Sequence, residues 1–342
     1  MSIGVGVIGY GYWGPNIVRN FMETPGLAVR AISDLSEQRR GLAAMRCPGA
    51  KVTADYKELL KDSSIDAIVV ATPVGSHYGL ASEALKAGKH VLVEKPMTAS
   101  VEQARRLVDE AASAKRVLMV DHTFVYTSAV RKIKELIAAG TLGELYYYDS
   151  VRVNLGLFQH DVNVIWDLAP HDASIVEYLI DQQVACVSCL AMSHVPNQPE
   201  NVGYITMMFN SPIIVHLHVN WLAPVKIRQT LIGGSARMIV YDDMELSEKV
   251  KIYDRGVELA SSTDRIHELR IGYRSGDMHA PKIELTEALH VEAAHFKECM
   301  EHGKTPITDG QAGLRVVQML EAASHSIKHR GRLIDVATMQ PT

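Results

Sequence analysis

The sequence predicts a doubly wound α/β domain followed by an α+β domain whose large, mainly antiparallel sheet is open on one face. Three observations carry this. Up to residue 122, short apolar runs alternate regularly with amphipathic stretches. Runs such as residues 67–70, AIVV, have no polar alternation, which marks strands covered by helices on both faces. Past residue 123 the alternation stops, and strand-like runs spaced by Pro, Gly and Asn turn signals take over.

The elements follow in order. Residues 3–8 read as a glycine-spaced strand, 13–23 as helix, 27–34 as strand and 36–45 as helix, with a weaker unit over 51–60. Strands at 66–72, 90–96 and 116–122 then enclose helices at 76–88 and 100–115. In the second half, a helix at 126–139 ends at Gly140 and an extended segment spans 144–154. A helix with an early Pro170 covers 164–180. Runs at 184–192, 202–209, 212–221, 227–234 and 236–243 read as a meander, and helices at 286–302 and 310–329 close the chain. The expected domains are 1–122 for the dinucleotide and 123–342 for substrate and oligomerisation, the last helices being able to pack back on the first domain.

Composition excludes several classes. A chain of 342 residues, 47% apolar and 22% charged, has material for two cores. The net charge of -4, without a block of like charges, gives no pull toward nucleic acid or anionic membrane. No run approaches the length of a membrane span and no signal peptide is visible, so a cytoplasmic location is expected. Four cysteines are too few for a disulfide framework; Cys186 and Cys189, three apart on a strand, should point to opposite faces as small hydrophobes. No metal is expected. His216 and His218 alternate on one strand face, but no carboxylate or cysteine at suitable spacing completes a ligand set.

Gly9, Gly11 and Gly14 form G-x-G-x-x-G between the first strand and first helix, with Tyr12 and Trp13 inside the loop. In that context the glycines permit a tight turn, close approach of a pyrophosphate, and helix-on-strand packing. A Rossmann domain that binds a dinucleotide is expected. Asp34 ends the second strand, 20 residues after Gly14, where a carboxylate accepts from a ribose 2′-hydroxyl and disfavours a 2′-phosphate. NAD is therefore the expected cofactor, with Arg39 and Arg40 near enough to soften the preference. Thr72-Pro73 and Glu94-Lys95-Pro96 end two further strands, at the edge where such sheets bind ligands.

At these residues the chain resembles the Gfo/Idh/MocA family of NAD(P)-dependent sugar and polyol oxidoreductases. The likeness lies in the glycine motif, A-T-P followed by His77, AGKHVLVEKP, D-x-x-x-H at Asp167 and His171, and the stretch from His295 to Ile327. The resemblance implies cofactor contacts from Gly9, Gly11, Tyr12, Trp13, Gly14, Asp34, Thr72, Pro73, His77, Glu94 and Lys95. It also implies that Lys95 lies beside the nicotinamide and the substrate hydroxyl.

Hydride transfer from a carbinol needs a proton acceptor and a cation for the developing alkoxide. Asp167 and His171 are spaced i, i+4 and so share a helix face. Lys95, His171 and Asp167 are the expected catalytic residues, His171 as acid/base because imidazole titrates near neutrality. Many relatives carry D-x-G-x-H with an aspartate three residues later; here Pro170 precedes His171, Asp172 follows at once and Ser174 takes the later place. Which acid orients the imidazole, and whether Lys95 or His171 moves the proton, stays open at this point.

Residues 152–172 resemble the branch that acts on nucleotide-activated amino sugars. Oxidation at C3 of a UDP-N-acetylhexosamine such as UDP-N-acetylglucosamine is the first functional expectation, with a 3-keto-sugar reductase or an inositol dehydrogenase as alternatives. An NAD-binding sensor on the same fold is the non-enzymatic reading. Expected substrate contacts are Lys95, Arg152, Asn154, Asp167, His171 and Tyr273, with Arg274 a weaker candidate. The apolar strands around Met207 and Met208 are expected to pair subunits into a homodimer or homotetramer, since an open sheet face would otherwise leave an apolar patch in water.

Overall fold

Six strands pair in parallel at the start of the chain: β1 (Ile3–Ile8), β2 (Leu27–Ser33), β3 (Lys51–Thr53), β4 (Ala67–Val70), β5 (His90–Glu94) and β6 (Leu118–Asp121). Their order is β3-β2-β1-β4-β5-β6. The strand order turns back at β1 and β4, the arrangement that opens a ligand crevice at the carboxyl ends. Helices α1 (Gly14–Glu23), α2 (Glu37–Arg46), α3 (Tyr56–Lys61), α4 (His77–Lys86) and α5 (Val101–Ala114) connect them. Every residue of β4 is buried, as the unbroken apolar run requires. The computed structural model describes residues 2–156, 162–254, 256–259 and 271–342, with 256–259 and 271–273 described through the backbone alone.

The chain divides into two compact units, residues 1–127 with 286–321, and residues 128–285 with 322–342. Within the first unit, α8 (Ala288–His302) packs on α1, and Phe296 meets Phe21 with ring centroids 6.4 Å apart. The final helix, α9 (Gly310–Lys328), begins in this unit and ends in the second.

The second unit is built on α6 (Ser128–Ala138), β7 (Leu145–Leu155), α7 (Val164–Leu179), β8 (Cys186–Met192), β9 (Val202–Met208), β10 (Ile214–Asn220), β11 (Leu222–Gly234), β12 (Met238–Asp242) and β13 (Val250–Tyr253). β14 (Gly256–Leu259) and β15 (Ile271–Arg274) form a separate hairpin, while β16 (Met278–His279) and β17 (Ile334–Asp335) edge the main sheet. That sheet runs β16-β13-β12-β11-β7-β10-β9-β8-β17, antiparallel throughout except between β7 and β10.

The meander expected from the sequence is thus interrupted, because β7 inserts between β10 and β11. Periodicity along a strand reports its faces and not its neighbours. β7 runs parallel to β8, and a parallel return needs a long crossover, which α7 supplies. α7 lies against β7, β9 and β10. It packs so closely that a Cβ on Gly203 would stand 2.3 Å from Ile165 Cδ1.

The opposite sheet face is open. Leu190, Met192, Tyr204, Met208 and Ile214 are exposed on β8, β9 and β10, whereas Met207 points inward and is buried. His216 and His218 share that face as expected, their rings stacked beside Tyr204 at 6.1 and 4.4 Å between centroids. Cys186 is half-buried and Cys189 buried on opposite faces of β8. Among the described residues no helix is long and apolar enough to cross a membrane.

Candidate active site

The carboxyl edge of the parallel sheet gathers the dinucleotide residues. Gly9 adopts φ of 101°, a region L side chains rarely enter, and a Cβ there would lie 2.2 Å from the Ala71 carbonyl oxygen. A Cβ on Gly14 would lie 2.5 Å from the Gly9 oxygen, so that glycine serves helix-on-strand packing. Gly11 differs. A Cβ there meets nothing nearer than Arg39 Nη1 at 3.4 Å, so its bareness leaves room above the loop. That room adjoins the start of α1, where Trp13 offers no side-chain cap to the first N–H groups. The positive terminus of the helix fits a diphosphate.

Asp34 stands at the tip of β2, only 8% exposed, accepting from Tyr10 N at 2.7 Å and Ser36 N at 2.8 Å. Arg39 Nη1 lies 3.9 Å from its carboxylate. This is the position from which a carboxylate receives ribose hydroxyls. Tyr12 is exposed within the loop, while the Trp13 indole donates to Asp121 Oδ2 at 3.1 Å.

His77 is buried, and both ring nitrogens face backbone carbonyls: Nδ1 lies 2.9 Å from Pro96 O and Nε2 lies 2.7 Å from Thr72 O. Burial lowers its pKa, and a neutral ring donates one of these bonds at a time. The ring therefore spans the turns that follow β4 and β5, holding Thr72-Pro73 and Lys95-Pro96 in place. Thr72 Oγ1 is itself paired with Ser76 Oγ at 2.7 Å.

Lys95 is half-buried immediately beyond β5. Glu94 turns its carboxylate back to accept from Lys95 N at 2.8 Å. Burial first, and the neighbouring Asp121 next, push the Glu94 carboxyl well above the ordinary range. Asp121 stands directly across from Glu94 in the β5–β6 register. Asp121 also accepts from Thr123 Oγ1 at 2.5 Å.

In the second unit, Asn163 caps α7 by accepting from Trp166 N at 3.1 Å. Asp167 and His171 follow on one face of the helix, both half-buried. The Trp221 indole, buried between β10 and β11, donates to Asp167 Oδ2 at 3.0 Å and fixes that carboxylate. Asp172 is committed elsewhere. It accepts from Ser150 Oγ at 2.8 Å and from Arg152 Nε at 2.5 Å, with both members of the ion pair nearly inaccessible to solvent.

Other expected contacts fall out differently. The Arg152 guanidinium is turned into the core toward Asp172, where it supports α7. Asn154 is half-buried near the end of β7. Tyr273 lies in β15 outside the residues whose side chains are described, as do residues 157–161 of the stretch that suggested a nucleotide sugar. Arg274 pairs with Asp254 at 2.9 Å and donates to the Ala236 carbonyl.

Sequence reading missed Trp221, Asp121 and Glu292. Glu292 had a visible signal: it falls on the stripe of Leu289, Ala293 and Phe296, where a helix presents its apolar face.

Known proteins bear on this arrangement. Residues 3–122 match the model of an oxidoreductase family with an NAD-binding Rossmann fold, and residues 130–240 match a GFO/IDH/MocA C-terminal domain. An uncharacterised oxidoreductase of Escherichia coli, YdgJ, is 29% identical over 97% of this chain and 98% of its own. An NAD+ scyllo-inositol 2-dehydrogenase of Bacillus subtilis is 25% identical over 96% of this chain and 93% of its own. The UDP-N-acetylglucosamine 3-dehydrogenase GnnA of Acidithiobacillus ferrooxidans shares the fold at a TM-score of 0.81, with 23% identity over 96% of this chain and 99% of that one. Glycine loop, ribose carboxylate and C-terminal sheet agree with these matches: the chain belongs to the Gfo/Idh/MocA family and is an NAD-dependent dehydrogenase.

Proposed function

We propose that the chain oxidises a ring carbinol of a sugar or cyclitol, with C3 of a UDP-N-acetylhexosamine as first candidate and an inositol as second. The observation that supports carbinol chemistry most is the pair Asp167 and His171 on one face of α7, with Asp167 anchored by Trp221. The inositol arm draws on the scyllo-inositol 2-dehydrogenase match, which spans nearly the whole chain. The amino-sugar arm draws on the sequence around residues 152–172.

The bound cofactor supplies the hydride acceptor. The protein's share is to hold the carbinol, accept its proton and stabilise charge on oxygen. Lys95 places a cation against the developing alkoxide. His171 takes the hydroxyl proton, and Asp167 holds that ring or a neighbouring hydroxyl. His77 keeps Lys95 in register through Pro96.

The open face of β8, β9 and β10 pairs two copies of the chain in this reading, covering Leu190, Met192, Tyr204, Met208 and Ile214. Contiguous exposed side chains of this kind suit an isologous dimer.

Mixing protein and NAD with a panel of inositols and UDP-sugars, and following NADH absorbance, tests the proposal. Turnover with one class selects the arm. Reduction of a 3-keto sugar with no oxidation of any alcohol would reverse the direction, and silence in both directions would overturn the reading.

A further inference from the structure

Beside Lys95 in sequence, a half-buried carboxyl, Glu94, meets two that are closed off from water, Asp121 and Glu292. Glu94 and Asp121 face each other across neighbouring parallel strands. Glu292 reaches them from α8, itself 1% exposed. No donor reaches either Glu292 oxygen, and the charged group that acts on it most strongly is the Asp121 carboxylate. His122, equally buried, adds two ring nitrogens without partners.

Electrostatics decides what such a cluster is. An isolated buried carboxylate is costly to keep charged, and groups so placed take up protons instead. Acting on Glu292 are Asp121 from β6 and Glu94 from β5, with Tyr126 close by and Thr123 bonded to Asp121. From before α1 comes the Trp13 indole, which donates to Asp121. Tyr126 gives its hydroxyl to a pair with Thr308 Oγ1 at 2.9 Å. Lys95 is the cation whose field acts on Glu94 and His122. A carboxyl without a donor, beside a carboxylate, gains a hydrogen bond only by carrying the proton itself. Burial, and then Asp121, push Glu292 well above the ordinary carboxyl range, in agreement with that geometry.

We propose that Glu94, Asp121 and Glu292 form a proton store whose occupancy is coupled to the charge of the nicotinamide. This rests on the dehydrogenase reading, with Lys95 beside the reacting carbon. When the carbinol reacts, its C–H bond breaks and the hydrogen leaves with the electron pair for the nicotinamide ring. The O–H bond also breaks, its electrons completing the carbonyl. The hydroxyl proton passes to His171, and as the ring loses its positive charge the cluster takes back from solvent the proton that NAD+ binding displaced, as a carboxyl O–H bond. Glu292 and Asp121 are positioning residues in this scheme, acting through the charge around Lys95.

Infrared spectroscopy of the protein without nucleotide tests the store directly. A carbonyl stretch of protonated carboxylic acid, shifted in D2O, is expected at pH 7 and should fall in Glu292→Gln by the share that Glu292 carries. Persistence of the full band in that variant, or no band in the wild type, overturns the proposal. If Glu292→Gln fails to fold, titrating the wild-type band serves instead: survival past the ordinary carboxyl range supports the store, and disappearance within it refutes it. The coupling is read with an indicator dye in weak buffer. Binding of NAD+ should release up to one proton per chain, binding of NADH should release almost none, and Glu292→Gln should lose most of the difference. Equal release with both nucleotides overturns the coupling. Neither arm needs a sugar, so failure to find a substrate would count against the proposed function and leave these results standing.

Discussion

Arg152 and Asp172 form an ion pair with Nε 2.5 Å from Oδ2, both side chains nearly inaccessible to solvent. The pair ties β7 to the inner side of α7, one residue beyond His171. Removing one partner of a buried pair costs about 3–5 kcal/mol, because the other charge is left stranded. Arg152→Met should destabilise by that order in urea unfolding, and the double variant Arg152→Met, Asp172→Leu should recover part of the loss. A diphosphate contact would instead raise KM and leave unfolding unchanged.

Gly11 and Gly14 should separate binding from folding. Gly14→Ala forces a Cβ to within 2.5 Å of a backbone oxygen and should cost stability in thermal unfolding. Gly11→Ala has space in the bare protein. It should fold normally yet weaken NAD binding by at least tenfold in a fluorescence titration; equal affinity would show that the diphosphate lies elsewhere.

His77 supports two turns at once. Replacing it with Phe takes away the one ring N–H that serves the Thr72 or the Pro96 carbonyl, a loss of about 1–3 kcal/mol when buried, and with it the link between the two turns. NAD affinity and melting temperature should fall together. Lys95→Met, by contrast, should leave both nearly unchanged.

His122 sets an acid limit. Burial, assisted by Lys95, holds its imidazole down at about 3 against an ordinary 6.5. Above the ordinary value the ring is neutral in both folded and unfolded chains, and its contribution is fully present. As pH falls toward about 3, the unfolded chain binds a proton that the folded one refuses, so stability is lost. The slope is about 1.4 kcal/mol per pH unit for one group. His122→Leu should remove it, so that unfolding free energies of wild type and variant diverge below the ordinary value; parallel curves would contradict the assignment.

Much of the parallel sheet was legible because its signals are local. Unbroken apolar runs, the glycine motif and the turn-ending Thr72-Pro73 and Lys95-Pro96 all declare themselves within a few residues. What escaped depends on distant partners. Strand β7 was visible as a strand, but its insertion between β10 and β11 is a long-range pairing. The short β16 and β17 are fixed by neighbours rather than by propensity. Trp221 reads as a core aromatic until its indole is seen to hold Asp167. Arg152 illustrates the converse: an arginine in a substrate-like motif turns inward because Asp172 waits there.

In the proposed function, Lys95 and His171 serve one carbinol. NADH formation should be compared for wild type, Lys95→Met, His171→Asn and the double variant, on whichever sugar or cyclitol turns over. Each single variant should lose at least a hundredfold in kcat with NAD affinity preserved, and the double should lose little more, as groups that act as a unit do. Near-wild-type turnover in both single variants, or losses that multiply in the double, would contradict the account.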